Sequence, residues 1–206
     1  GPEDPAFTED HPFLPNSPYA ASKASGDMLV RAAFRTYDLP VLRTHCSNNY
    51  GPFQFPDKLI PLMITRALAG ERLPVYGKGA NIRDWLYVSD HCRALWLALT
   101  KGVPGRSYNI GGGRELRNLD VVDRICAMLD EMRPRRGGTY SELIEFVTDR
   151  PGHDFRYAVN DQRARAELGY EPRVDFQDGL RRTVEWYVDS LARDSVTDPA
   201  LRPSLA

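Results

Sequence analysis

Apolar residues along this chain recur at two alternating spacings, three-to-four apart and in short dense runs, so helices and strands are expected to follow one another. Ala21, Ala24, Met28, Leu29, Ala32 and Ala33 predict a helix from Tyr19 to about Tyr37. Ser17 and Pro18 mark its start: the hydroxyl can accept a free backbone N–H of the first turn, and proline has none to leave unpaired there. Past Pro40, residues 41–46 lean toward strand, and 56–70 predict an amphipathic helix carrying Leu59, Leu62, Met63, Ile64 and Leu68. Residues 73–76 and 85–88 read as strands, 90–101 as a helix with a nearly all-apolar face, and 107–110 as a strand closed by a turn at Gly111-Gly112-Gly113. Asn118-Leu119-Asp120 can cap a helix running through Met132, with Val121, Val122, Ile125, Met128 and Leu129 as its stripe. A strand at 144–147 and helices at 161–168 and 175–191 follow. Residues 1–17 form a proline-rich, irregular lead-in, and a tail from Arg193 lacks apolar periodicity and reads as disordered.

Alternating strands and helices without an internal repeat predict an α/β fold with parallel pairing. The 206 residues are 42% apolar and 27% charged, as in an ordinary globular protein. With 27 basic against 28 acidic residues, the net charge of −1 gives no overall pull toward nucleic acid or an anionic membrane, and neither is expected as a partner. No run of 18 apolar residues occurs and the N-terminus is acidic and proline-rich, which points to a cytoplasmic protein. Cys46, Cys92 and Cys126 have neither zinc spacing nor an even count, so they read as reduced, mostly buried thiols; His45-Cys46 and His91-Cys92 read as core, and no metal is expected.

The chemistry-bearing stretch is Tyr19-Ala20-Ala21-Ser22-Lys23, where a phenol and an ammonium four residues apart share one helix face. A tyrosine titrates near ~10, so ionising one at neutrality needs about 4 kcal/mol of preference for the phenolate, and a close lysine supplies part of it. Taken alone the pair is common on solvated helices. Its neighbours sharpen it: small residues through Gly26, the 41–46 strand, then Asn48-Asn49-Tyr50-Gly51-Pro52.

These landmarks resemble the extended short-chain dehydrogenase/reductases. Further motifs are similar, in order, to the dTDP-glucose 4,6-dehydratase family: Phe55-Pro56-Asp57-Lys58-Leu59-Ile60-Pro61, Leu73-Pro74-Val75-Tyr76-Gly77, Ile82-Arg83-Asp84-Trp85, Tyr108-Asn109-Ile110-Gly111-Gly112, Asn118-Leu119-Asp120 and Asp149-Arg150-Pro151-Gly152-His153-Asp154. The resemblance implies a partial Rossmann-like sheet plus a smaller substrate-binding α/β domain. Residues 1–50 would carry the Tyr/Lys helix of the NAD-binding domain, and 51–192 would be mainly substrate-binding, with segments returning to the Rossmann sheet. It implies Tyr19 as the base for the sugar 4-hydroxyl, Lys23 as its partner and a holder of the nicotinamide ribose, and Asn49 at the NAD cofactor. Asn48, Lys58, Leu59, Pro74, Val75, Tyr76, Arg83, Asn118, Asp149, Arg150, Pro151, Gly152 and His153 would line the pocket for dTDP-glucose, with Arg83 and Arg150 as diphosphate clamps. The plain alternatives are surface ion pairs for Arg83–Asp84 and Arg150–Asp149, and turn formation for Asn48 and Asn49.

The implied chemistry oxidises C4 by hydride transfer to NAD, eliminates water across C5 and C6, and returns the hydride to C6. In the family, elimination uses adjacent aspartate and glutamate after a threonine, N-terminal to the tyrosine. Glu9-Asp10 follows Thr8 but is placed beside that position, and catalysis is not assigned to it. No strand leads into G-x-G-x-x-G, so the sequence is expected to correspond to the C-terminal three-fifths of such an enzyme, with poor solubility alone and a homodimer when whole. Two other readings stay open: a non-catalytic nucleotide-sugar-binding or dimerising module, and another nucleotide-sugar 4,6-dehydratase or a C4 epimerase.

Overall fold

Helix α1 (Pro18–Tyr37) begins where the sequence places it, with Ser17 extended at φ −143° and its hydroxyl accepting the Ala20 N–H at 3.1 Å. Asp38, left-handed at φ 51°, ends it by donating its N–H to Phe34 O. In this computed structural model the described residues are 3–197, with side chains described through Ala192. After α1 come β1 (Arg43–Cys46), β2 (Asn48–Tyr50), α2 (Leu59–Leu68), β3 (Leu73–Tyr76), β4 (Ile82–Tyr87), α3 (Val88–Lys101), β5 (Ser107–Ile110) and β6 (Glu115–Arg117). Then follow α4 (Asn118–Met132), a 3₁₀ turn (Tyr140–Leu143), β7 (Ile144–Val147), β8 (Arg156–Tyr157), α5 (Gln162–Leu168) and α6 (Phe176–Thr197).

The chain divides into two interleaved units. The first runs through Asn49 and takes back Arg83–Glu115 and Pro151–Arg173; the second comprises Tyr50–Ile82, Leu116–Arg150 and the chain from Val174. In the first unit β1 pairs in parallel with β5, Arg43 opposite Ser107 and Cys46 opposite Ile110. Its core joins Leu86, Tyr108 and Ile110 to Ala94 and Ala98 of α3 and Ala164, Leu168 and Tyr170 around α5. The two α3 alanines are one turn apart, and their small side chains let the helix lie close. The Tyr170 hydroxyl does not enter this core unpaired: it donates to Gly111 O at 2.7 Å, as a buried phenol must.

In the second unit β3 pairs in parallel with β7, Leu73 opposite Ile144 and Tyr76 opposite Val147. Helices α2, α4 and α6 pack on one another. Their buried faces are Ile60, Met63 and Ile64; Val121, Val122, Ile125 and Leu129; and Leu180 and Val184. Pro61 sits in the first turn of α2, where its missing N–H costs no helical bond.

The α/β class with parallel pairing is thus as expected, but several local readings are corrected. Helix α4 has no side-chain cap; Arg117 precedes it and instead grips the Asp120 carboxylate with two N–H groups at 2.9 and 3.0 Å. Helix α6 continues past Leu191 to Thr197, since Ala192 and Arg193 are good helix formers and no proline or glycine intervenes before Pro199; the rest of the expected tail, 198–206, lies outside the described residues. In α1 only Ala24 is buried, and Met28 and Leu29 of the expected stripe face solvent. Leu95, Trp96 and Leu99 of α3 are likewise exposed. All three cysteines are free, but only Cys126 is fully buried; Cys46 is half-buried and Cys92 is exposed.

Burial, with Asp123 and Asp130 nearby, pushes the Cys126 thiol up to about 12 from an ordinary 9.0. The folded state therefore holds this proton more tightly than the unfolded chain, and stability present below pH 9.0 is lost as pH rises toward about 12. Comparing urea unfolding of the unsubstituted chain with Cys126→Ala, the difference should fall across this window with a slope approaching ~1.4 kcal/mol per pH unit. In native thiol labelling Cys92 should react first and Cys126 last; a Cys126 that labels as fast as Cys92 contradicts its burial.

Candidate active site

The residues expected to act chemically fall into both units. In the first are Tyr19, Lys23, Asn48, Asn49, Arg83, Pro151, Gly152 and His153; in the second are Lys58, Leu59, Pro74, Val75, Tyr76, Asn118, Asp149 and Arg150.

In the first unit, Tyr19 and Lys23 occupy the opening turns of α1 and both are exposed, the phenol at 74%. Being so shallowly buried, α1 depends on polar anchors. Asp27, one turn beyond Lys23 on the same face, accepts from His45 Nε2 of β1 at 2.7 Å, with Arg43 Nη1 at 3.8 Å. The His45 ring also meets Phe13 edge-on, with centroids 6.0 Å apart. At the helix's other end, Phe34 covers Gly105, where a Cβ would collide with its ring. Gly152, left-handed at φ 67°, sets the Pro151-Gly152-His153 loop against Asn16, just ahead of α1: a Cβ there would lie 3.5 Å from Asn16 O. Asn49 donates to Ser47 O and Cys46 Sγ, each at 3.2 Å, and together with Asn48 forms strand, not turn.

Arg83 and Asp84 are not a surface ion pair, since both are buried. Arg83 donates to Asp154 O at 2.7 Å and Phe155 O at 3.3 Å, and so holds the segment after His153. Asp84 accepts the N–H groups of Gly112 at 2.9 Å and Arg114 at 2.8 Å. Burial raises its carboxyl above the usual carboxylate range, with those N–H groups opposing the shift. Gly112 is required there because a Cβ would strike the Trp85 carbonyl. Sequence reasoning did not single out this anchor; the available signal was the Gly111-Gly112-Gly113 run after a strand.

The Glu9-Asp10 pair is structurally engaged. Glu9 Oε1 accepts the Asn109 N–H at 2.9 Å, covering the free edge of β5, and Asp10 pairs with Arg163 at 2.7 Å.

In the second unit, Tyr76 ends β3 and is 39% exposed, with the Arg150 guanidinium 4.9 Å from its ring centroid. Val75 points into the core, so only its backbone is available to a ligand. Gly79, left-handed at φ 67°, lies under the start of α4: a Cβ there would fall 2.7 Å from Leu119 Cβ. The turn is tied by Leu119 N–H to Gly79 O at 3.0 Å and Asn118 N–H to Asn81 O at 2.9 Å, which places Asn118 beside the loop that follows Tyr76. Asn118 Oδ1 is buried without a hydrogen-bond partner among the described residues. Lys58 is exposed and pairs with Asp57 at 3.0 Å.

A capped Tyr-x-x-x-Lys helix beside parallel α/β pairing defines a class, the Rossmann-like extended short-chain dehydrogenase/reductases. A family profile described as GDP-mannose 4,6 dehydratase matches residues 1–183, and the chain belongs to this family. It is 58% identical over 183 residues to the dTDP-glucose 4,6-dehydratase of Xanthomonas campestris pv. campestris, a match covering 88% of this chain and 52% of that protein. The crystal structure of dTDP-glucose 4,6-dehydratase from Bacillus anthracis in complex with NAD superposes with a TM-score of 0.82 at 47% identity, covering 97% of this chain and 60% of that one. UDP-glucuronic acid 4-epimerase from Bacillus cereus, solved with UDP-glucuronic acid and NAD, gives 0.80 at 27% identity over 91% of this chain and 58% of its own. The chain spans about half the length of the curated relatives it matches.

Removing the Asp84 carboxylate leaves two backbone N–H groups in a buried site. Asp84→Ala should therefore cost about 3 kcal/mol in urea unfolding at neutral pH. A cost under about 0.5 kcal/mol, as for an ordinary surface substitution, contradicts the anchor.

Proposed function

We propose that this chain carries the proton-transfer pair and the nucleotide-sugar grip of an NAD-dependent dTDP-glucose 4,6-dehydratase, whose reaction gives dTDP-4-keto-6-deoxyglucose. The observation that carries the reading is the Tyr19–Lys23 spacing on the capped start of α1, in a chain 58% identical to a dTDP-glucose 4,6-dehydratase. The lower identity to the 4-epimerase, 27%, favours the dehydratase over the epimerase.

Tyr19 takes the proton from the sugar 4-hydroxyl, and the Lys23 ammonium offsets the negative charge that develops on the phenol oxygen. The same exposed phenol and ammonium suit the hydroxyl-rich nicotinamide-ribose end of NAD, with Asn49 as its third contact. When bound, NAD supplies the acceptor and later the donor of one hydride. Lys58, Arg150 and Asn118 hold the nucleotide diphosphate, and Tyr76 offers its ring to the base. Arg83 acts through the segment it anchors, which places His153.

A second reading is a nucleotide-sugar-binding module without turnover, its grip resting on the exposed Tyr76 and Arg150 of the second unit. The two separate in one experiment. In a dehydratase chain that carries this sequence behind its own NAD-binding and elimination residues, with dTDP-glucose and NAD added, a 4-keto product is expected, followed by its alkaline absorbance; Tyr19→Phe should slow it about 10²- to 10⁴-fold with sugar-nucleotide affinity within about twofold. Binding of dTDP-glucose without product by that longer chain supports the binding module instead.

The cytoplasm is the proposed location, and a homodimer through α1 the proposed assembly, supported by the exposed Met28, Leu29 and Tyr37 on that helix. Leu29→Glu should shift sedimentation from dimer to monomer. An unsubstituted chain that sediments as a monomer at high concentration contradicts the assembly.

A further inference from the structure

Tyr76 is the last residue of β3 and Arg150 follows shortly after β7, so both lie at the C-terminal ends of two parallel strands, where open α/β sheets place their ligands. Gly77, left-handed at φ 57°, turns the chain directly after β3 and donates its N–H to Val147 O of β7 at 2.8 Å. Past β7, the Asp149 carboxylate accepts the backbone N–H of Arg150 at 2.8 Å. It packs beside Gly77, where a Cβ would sit 3.4 Å from Asp149 Oδ2. The two loops are thereby held side by side, and the Arg150 guanidinium comes to rest over the half-exposed Tyr76 ring at 4.9 Å. A planar cation on that face keeps a planar base off it.

We propose that Arg150 is a cap on Tyr76: in the free chain its guanidinium covers the ring face that a nucleobase takes, and a nucleoside diphosphate lifts it by offering the guanidinium a phosphate. The inference rests on the nucleotide-sugar reading above and adds a regulation to it. An exposed cation–π contact is weaker than a charge-assisted, two-pronged bond from arginine to phosphate, so the exchange runs toward the phosphate. A nucleoside without phosphate has to displace the cap and gives the charge nothing in return. Arg150 thus both recognises the diphosphate and penalises ligands that lack it.

Equilibrium binding of thymidine and of dTDP to the chain and to Arg150→Ala tests this, because the cap requires the substitution to act with opposite signs. Arg150→Ala should bind thymidine about two- to fivefold tighter, from loss of the cation–π contact. It should bind dTDP at least about tenfold weaker, from loss of the charged hydrogen bonds. Equal or weaker thymidine binding by Arg150→Ala, in a chain that binds dTDP, overturns the cap and leaves the nucleotide-sugar reading standing. An unsubstituted chain that binds neither ligand overturns the nucleotide-sugar reading. The cap is also read without ligand by NMR. The Arg150 side-chain protons should be ring-current shifted upfield in the free chain and return to ordinary positions in Tyr76→Leu; unshifted protons in the free chain overturn it.

Discussion

A carboxylate taken out of water must be met by donors, and at Asp84 those donors are the backbone N–H groups of the turn that follows β5. This sets much of the first unit. The turn stays close to β4 because Gly112 has no side chain to strike the Trp85 carbonyl, and Gly111 O receives the buried Tyr170 hydroxyl at 2.7 Å. Next to Asp84 in sequence, Arg83 holds Asp154 and Phe155 by their carbonyls, so one buried Arg-Asp dipeptide orders two loops. The raised carboxyl of Asp84 is the cost of placing a charge there.

The helix that bears Tyr19 and Lys23 is held in a different way. With Ala24 as its only buried residue, α1 has little apolar area to fix its position, and Asp27, His45 and Arg43 supply polar contacts to β1. Polar pairs fix orientation better than they add stability. That suits a helix whose first turns carry Tyr19 and Lys23, the proposed base and its charged partner, where small displacements would alter a proton transfer. Its outward apolar residues, like Leu95, Trp96 and Leu99 of α3, are exposed surface among the described residues.

Much of the fold was legible in the sequence where local signals agree. Ser17-Pro18 marks the true start of α1, and the strands at 73–76, 107–110 and 144–147 match the observed ones. The short strands β2, β6 and β8 were not legible, because two or three residues carry no periodicity and their pairing depends on distant segments. Asn48-Asn49 ahead of Gly51-Pro52 has turn composition and is nonetheless extended. Of the candidate site, the Tyr19–Lys23 face and the motif order were readable. The burial of Arg83 and Asp84 was not, since adjacent opposite charges look like a solvated pair until their hydrogen-bond partners are known. Nor could spacing alone place Arg150 over Tyr76, residues brought together by the parallel register of β3 and β7.

Whether Tyr19 is the group that meets the sugar 4-hydroxyl is read most directly from a crystal structure of the chain with dTDP-glucose bound. The phenol oxygen of Tyr19 is expected within hydrogen-bond reach of the 4-hydroxyl, about 2.6–3.2 Å. A bound sugar whose 4-hydroxyl points away from Tyr19 would contradict it.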